Sequence, residues 1–355
     1  MKTAFVTGAT GLLGNNLVRA LVRRGVKVRA LVRSREKAIR QFGPLEIDLV
    51  EGDMLNISRF AHALNGNDVL FHTAAFFREA YQGVSDWSPI LRVNVEGTVN
   101  LFEAAYAAGV RRFVHTSSVA VLGADPNGKP VDESFLRQET DGDEYYRSKI
   151  QSDQRVLAFL ERHKDANATM VLPGWMFGPG DLGPTAAGQF ILDFVGRKLP
   201  GVLNVGYSVV DARDVAEAMI AAAEKGRRGE RYLAAGRRMS MTEIAGALSE
   251  VTGVPAPKTR VPIFFVYIIA AFNEVYARIT RRPTLLNLAI VKNIMLERQR
   301  SGFKQDKIEQ ELGIKFRPVI ETFHDTFDWL RENQGMVSTG EKPTTGTNLA
   351  TSHRV

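Results

Sequence analysis

Three glycines fall within the eight residues Thr7-Gly8-Ala9-Thr10-Gly11-Leu12-Leu13-Gly14, directly after the strand pattern Thr3–Thr7 and at the head of a helical pattern. A strand that turns through glycine straight into a helix leaves few folds open, because the two elements must pack closely at the turn. In such a turn Gly8 serves the tight bend, Gly11 lets the backbone approach a pyrophosphate, and Gly14 allows the helix to lie against the strand. The helix start then offers free N–H groups and positive dipole to the phosphates. An ordinary loop could carry the same glycines, but the strand before and the helix after favour a phosphate cradle. Thr7, Gly8, Thr10, Gly11, Leu12, Leu13 and Gly14 are its expected contacts.

The pattern continues. Candidate strands Thr3–Thr7, Lys27–Val32, Ile47–Glu51, Val69–Thr73, Arg112–Thr116 and Thr169–Leu172 alternate with helical stretches starting near Gly11, Ser34, Asn56, Asn94 and Glu144. Repeated strand–helix–strand units predict an α/β fold, a doubly wound parallel sheet with its ligand at the carboxyl ends of the strands. After Pro173 the chain becomes irregular and richer in Gly and Pro, then mostly helical, so a smaller, mostly helical substrate domain is expected. Ser208–Asp211 reads as a return to the sheet, leading into a helix over Asp214–Lys225. The expected division is 1–172 plus about 204–236 for the dinucleotide-binding domain, and about 173–203 plus 237–333 for the smaller one. Residues 334–355 read as a disordered tail.

Composition closes off several alternatives. The chain has no cysteine, so neither disulfides nor thiolate chemistry can contribute. Its histidines show no ligand spacing, and no metal is expected. The net charge is +7, but the basic residues are scattered, apart from a cluster between Arg19 and Arg40, and no nucleic-acid motif accompanies them. The N-terminus lacks the apolar run of a signal peptide, which points to a cytoplasmic protein. The longest apolar stretch, Val261 to Phe272, is too short to span a bilayer. Flanking basic residues allow an interfacial helix there; a core helix of the substrate domain is the favoured reading, with peripheral membrane contact disfavoured and a homodimer left open.

Two further sites carry chemistry. At the end of the second strand, where an acid would bind the ribose 2′-hydroxyl of NAD, stand Arg33, Ser34 and Arg35. A guanidinium can hold a 2′-phosphate through charge-assisted bonds, so NADP(H) is the preferred cofactor, with NAD(H) kept open by Glu36. Asp53, followed by Met54, could accept from the adenine amine, or simply cap a turn. Farther on, Tyr145 and Lys149 lie four apart at a helix start, on one face. A nearby ammonium favours the ionised phenol and makes tyrosine usable as an acid–base group; Tyr146 is not excluded by spacing. Ser117 and Ser118 follow the strand Arg112–Thr116, where a hydroxyl can hold a carbonyl oxygen, and His72 and His115 read as structural.

These motifs, together with Asp68-Val69-Leu70-Phe71-His72-Thr73-Ala74-Ala75 and Asn94 in Val93-Asn94-Val95-Glu96-Gly97-Thr98, resemble the extended short-chain dehydrogenase/reductases over roughly residues 1–330. The resemblance implies that Ser118 and Tyr145 act on the substrate, that Lys149 also binds the nicotinamide ribose, and that Asn94 belongs to the catalytic set. It places Thr73, Ala74, Ala75, Pro173 and Gly174 beside the cofactor, and Phe76, Phe77, Trp175 and Met176 beside a small-molecule substrate. The stretch Pro173-Gly174-Trp175-Met176-Phe177-Gly178-Pro179 is most similar to the dihydroflavonol 4-reductase-like branch and to hopanoid-associated sugar epimerases. Where many nucleotide-sugar epimerases hold Arg and Asn, this chain has Leu172 and Trp175, and Arg78, Arg197 and Arg213 are the nearby candidates for a diphosphate clamp. The resulting expectation is an NADP(H)-dependent enzyme reducing a carbonyl, or oxidising the alcohol, on a largely apolar substrate. A nucleotide-sugar epimerase or dehydratase with tightly held NAD(P) is the alternative, and a non-catalytic cofactor sensor a third reading.

Overall fold

The computed structural model describes residues 1–76, 87–141, 143–280 and 288–333. The expected tail over 334–355 and Phe77 lie outside them. The strands are β1 (Thr3–Thr7), β2 (Lys27–Val32), β3 (Asp48–Glu51), β4 (Val69–His72), β5 (Arg112–Thr116), β6 (Asn167–Pro173), β7 (Trp175–Phe177), β8 (Val202–Leu203), β9 (Gly206–Asp211), β10 (Arg231–Ala234), β11 (Arg237–Ser240) and β12 (Arg260–Val261). The helices are α1 (Leu12–Arg23), α2 (Arg35–Phe42), α3 (Trp87–Ile90), α4 (Gly97–Ala107), α5 (Glu144–Arg162), α6 (Ala186–Val195), α7 (Ala212–Lys225), α8 (Met241–Thr252), α9 (Ile263–Thr280), α10 (Leu288–Gln299) and α11 (Val319–Asn333).

Runs such as Ala4-Phe5-Val6 and Val69-Leu70-Phe71 are buried at every residue, because helices cover both faces of their sheet. Seven strands lie in the order β10-β6-β5-β4-β1-β2-β3, and each pair is parallel. The order reverses between β1 and β4, so the loops after these strands diverge and leave a crevice at their carboxyl ends. One face is covered by α1 and α7, through Leu13, Leu17, Leu21, Val215 and Met219. The other is covered by α4 and α5, through Leu101, Phe102, Val156 and Phe159.

The return to the sheet differs from the expectation. Ser208–Asp211 belongs to β9, which sits between β7 and β11 in a separate three-stranded sheet. The seventh strand is β10, which pairs with β6 from Arg231↔Met170 to Ala234↔Pro173. Parallel strands need a crossover between them, usually a helix. Here α7 lies between β9 and β10, so the chain reaches the edge of β6 only after that helix. The small sheet packs with α6, α8 and α11 around Phe177, Ile191, Phe194, Ile244, Leu248 and Phe323.

Two helices also depart from their sequence reading. The stretch near Asn94 is a π-turn, Leu91–Glu96, between α3 and α4. The apolar helix α9 is not enclosed as a core helix would be. It packs through Val266 and Ala270 against Val291 of α10, while Phe264 is 64% exposed and Phe272 72%. Its apolar residues run round the whole circumference, so hydropathy alone could not say which side would be covered. No helix among the described residues is long and apolar enough to cross a membrane.

Candidate active site

The glycine loop bends at Gly8, with φ +66°, and a Cβ there would lie 2.6 Å from the Ala74 nitrogen. A Cβ on Gly14 would lie 2.2 Å from the Gly8 carbonyl oxygen, so α1 can rest on the turn only through hydrogen. The α1 N-cap is Gly11, which supplies no side-chain bond, and its first turn has no acid. The helix start therefore keeps unpaired N–H groups and positive dipole for an anion, and these donors fit the pyrophosphate of a dinucleotide. Thr10 stands half-buried beside them, while Leu12 and Leu13 are buried. Thr73 Oγ1 donates to the Thr7 carbonyl at 2.6 Å, tying the loop after β4 to the loop after β1. Ala75 is exposed at the same edge.

At the end of β2 both Arg33 and Arg35 are exposed, and neither has an ion-pair partner among the described residues. Ser34 caps α2 by accepting from the Lys37 nitrogen, and Glu36 lies along the helix, 3.8 Å from Arg40. Asp53 accepts from the Leu55 nitrogen at 2.8 Å, which is the turn-capping role the sequence allowed, and Met54 is buried.

Helix α5 is capped by Asp143, whose carboxylate accepts from the Tyr146 nitrogen. That start puts Tyr145 and Lys149 one turn apart, facing the end of β5. The Ser118 hydroxyl accepts from the Ala120 nitrogen at 3.1 Å and stands near enough to the Tyr145 phenol to lower its pKa. Lys149 donates to the Thr116 carbonyl at 2.9 Å, and its nitrogen stands 6.0 Å from the Tyr145 ring centre. Burial pushes the lysine down to about 8, with nearby Asp153 opposing the shift. Burial, then Asp143, pushes the Tyr145 phenol above its usual value, and Ser118 works the other way. Tyr146 has instead the Arg137 guanidinium 5.0 Å over its ring. Ser118 thus acts on one of the two tyrosines that spacing alone left open.

Asn94 is 3% exposed, and its amide is fully engaged. Its oxygen accepts from the Phe76 nitrogen at 2.6 Å; its nitrogen donates to the Phe76 carbonyl at 3.1 Å and to Ser148 Oγ at 3.0 Å. Ser148 in turn donates to the Tyr145 carbonyl. Asn94 therefore fastens the segment after β4 to α5, with both amide hydrogens committed.

Beneath the site runs a buried polar row that the sequence did not reveal. Thr7 Oγ1 meets His72 Nδ1 at 2.8 Å, His72 Nε2 meets Thr98 Oγ1 at 2.9 Å, and Thr98 Oγ1 donates to the Asn94 carbonyl at 2.7 Å. Burial, with the Lys149 charge behind it, pushes His72 down to about 3, so the ring is neutral. Because the Thr98 hydrogen is committed to Asn94, His72 must carry its proton on Nε2 and accept from Thr7 on Nδ1. His115 stacks on His72 with ring centres 5.5 Å apart and is likewise held well below its usual value by burial. Asp153, one turn beyond Lys149, pairs with Arg231 of β10 at 2.9 Å. Its four-residue spacing from Lys149 was the available sequence signal.

On the substrate side, Phe76 is half-buried, whereas Phe77 and Arg78 lie outside the described residues. Trp175 packs with Phe177, Phe190 and Tyr207 at centroid distances of 4.8, 5.4 and 5.1 Å. Met176 packs against the core beneath α1 and α7 instead. Successive strand residues point to opposite faces, so Trp175 and Met176 lie on opposite sides of β7. Of the remaining candidates for a diphosphate clamp, Arg213 is held by Asp211 at 2.7 Å and Asp325 at 2.6 Å, while Arg197 is exposed. Pro173 is buried at the end of β6, and Gly174 donates its N–H to the Ala234 carbonyl.

A reversing parallel sheet, a bare helix start over a glycine turn, and a Ser–Tyr–Lys set at the strand ends define the class of nicotinamide-dinucleotide enzymes. The chain belongs to the NAD dependent epimerase/dehydratase family, whose pattern matches residues 4–235. It is 35% identical over 94% of its length to a protein of Synechocystis sp. provisionally named dihydroflavonol 4-reductase, covering 96% of that protein. It is also 35% identical, again over 94% of its length, to the whole of sterol demethylase protein B of Methylococcus capsulatus. The solved structure of gox2253 superposes with a TM-score of 0.80 at 33% identity, covering 95% of this chain and 100% of that one.

Proposed function

We propose that this enzyme is an NADP(H)-dependent carbonyl reductase, or the corresponding alcohol dehydrogenase, acting on a largely apolar substrate. The observation that carries this reading is the convergence at the end of β5 of Ser118, the Tyr145 phenol that it acts on, and Lys149, one helical turn away and bonded to the Thr116 carbonyl. The bound cofactor supplies or accepts the hydride. Ser118 holds the carbonyl oxygen, and Tyr145 gives that oxygen its proton. A phenol pushed upward by burial stays protonated at neutral pH, which suits a proton donor and the reductive direction. Lys149 supplies positive charge beside the phenol, and Asn94 keeps α5 in register with the segment after β4. Support for an apolar substrate comes from the half-buried Phe76 and from the engagement of Arg213 by two aspartates, which removes one clamp for a diphosphate. The test is NADPH oxidation against ketones, aldehydes and sugar nucleotides. Adding a phenyl or alkyl group to a small ketone should raise kcat/KM; specific, saturating turnover of a sugar nucleotide, with no hydrophobic carbonyl turned over, would overturn the reading.

The NADP(H) preference rests on Arg33 and Arg35, exposed and without an ion-pair partner among the described residues, where a ribose-binding acid is absent. Losing one charge-assisted bond should cost about 1.5–3 kcal/mol. Arg33→Ala is therefore expected to weaken NADPH by roughly tenfold to a hundredfold and to leave NADH nearly unchanged. Equal affinity of the parent enzyme for the two cofactors, measured by fluorescence titration, would assign both arginines to the basic surface.

A further inference from the structure

The exposed side of α9 is unlike the rest of the surface. Phe264, Phe265, Ile269, Phe272, Val275 and Tyr276 are each about half exposed or more, and together they cover an arc wider than that facing the protein. Every exposed residue from Phe264 to Tyr276 is apolar or tyrosine. The single charge in this stretch, Glu274, sits on the partly covered side. The covered side is the narrow one, built on Val266 and Ala270. Polarity is thus reversed relative to a solvated surface helix, whose outward face carries its charges. A contiguous apolar patch of this kind marks an interaction surface.

Charge decides between the occupants. Lys258 and Arg260 are exposed just before the helix, and Arg278, Arg281 and Arg282 stand in its last turn and just beyond it in sequence. Between Thr252 and Arg282 there is no acid other than Glu274. In sequence, basic residues therefore flank the apolar helix on both sides. A two-fold contact between two copies of α9 would bring together two segments that each carry five basic residues and one acid from Thr252 to Arg282. An anionic bilayer reverses this, since the aromatic face enters the boundary of the acyl chains while the basic flanks meet headgroup phosphates.

We propose that α9 is a peripheral docking helix by which this enzyme seats on an anionic membrane surface. The proposal is independent of the cofactor and substrate readings. The helix lies flat and does not span the bilayer, since no helix among the described residues is long and apolar enough to cross one. It also lies close to the chemistry. Its neighbour α10 reaches the start of α5, where Asn293 donates to the Asp143 carboxylate at 2.7 Å.

The test is cosedimentation of the full chain with phosphatidylcholine vesicles, with and without phosphatidylglycerol. Binding should need the anionic lipid and weaken as salt is raised. Exchanging Phe264 and Phe272 together for Ser should lower partitioning by roughly tenfold or more, since each loses an aromatic ring from the buried face. The single variant Phe272→Trp provides a readout that needs no disruption of the helix. Its fluorescence should be quenched by brominated-chain anionic vesicles beyond the quenching of the parent protein. Absence of vesicle binding, partitioning unchanged in the double variant, or no added quenching at position 272 would each overturn the proposal. So would a concentration-dependent dimer that the double variant dissociates in the absence of lipid binding, which would give the surface to a second copy.

Discussion

Tyr145→Phe is expected to lower kcat by about a hundredfold to ten-thousandfold, the usual worth of a positioned acid–base group. Cofactor affinity should stay close to that of the parent. The substitution deletes one hydroxyl, which stands near Ser118, and it keeps the ring in place beside Tyr146. The loss should fall on kcat and kcat/KM together, as it does when an interaction exists only in the transition state. Tyr146→Phe is the control. That ring lies under Arg137, with its backbone nitrogen bonded to Asp143, and its loss should change turnover far less. Steady-state kinetics on the best substrate decide the matter, and an equal loss in both variants would remove Tyr145 from the proposed role.

Lys149→Met should also cost at least about a hundredfold in turnover, yet it should not destabilise the protein at neutral pH. The ammonium is buried and held at about 8 against an ordinary 10.5. A lowered lysine pKa means that the unfolded chain binds the proton more tightly than the folded one. Below about pH 8 the amine is charged in both states, and folding carries the whole desolvation penalty, of the order of 3 kcal/mol. The penalty fades as pH rises from about 8 toward 10.5, because there the folded protein releases the proton first. Loss of the bond to the Thr116 carbonyl offsets part of the gain, by about 1–3 kcal/mol. The variant should therefore match or exceed the parent Tm at pH 7, and the difference should narrow toward pH 10. A variant markedly less stable at pH 7 would show that the lysine holds the fold together and would undo the electrostatic account. In the parent, kcat/KM of the free enzyme should decline as pH passes about 8 and the positive charge is lost.

The central strands were legible because they are buried on both faces, so composition alone marks them: β1, β2 and β5 begin and end at the residues their β-branched runs suggest. The edge was not. Ser208–Asp211 and Arg231–Ala234 are both short apolar runs beside α7, and only the crossover geometry decides which one joins β6. The π-turn at Leu91–Glu96 leaves no periodic trace, and its setting, with Asn94 bonded to Phe76 and Ser148, is tertiary. At the candidate site, the four-residue step from Tyr145 to Lys149 could be read directly. The choice of Tyr145 over Tyr146 could not, since it depends on Ser118 arriving from another strand. The exposure of α9 was equally hidden, because an apolar helix reads the same whether protein or something else covers it.

The row from Thr7 through His72 and Thr98 to the Asn94 carbonyl has a single sense. The Ala74 N–H points at Thr7 Oγ1, Thr7 at His72, His72 at Thr98, and Thr98 at Asn94. Proton conduction along such a file would require each hydroxyl and the imidazole to reverse in concert, and the fixed amide at the head cannot reverse. The file is therefore a girder and not a wire. One end is bolted to the turn that cradles the phosphates, the other to the π-turn that grips α5 through Asn94. The three bonds from Thr7 to the Asn94 carbonyl tie the loop after β1 to the segment after the neighbouring β4, so the two walls of the crevice keep a common alignment.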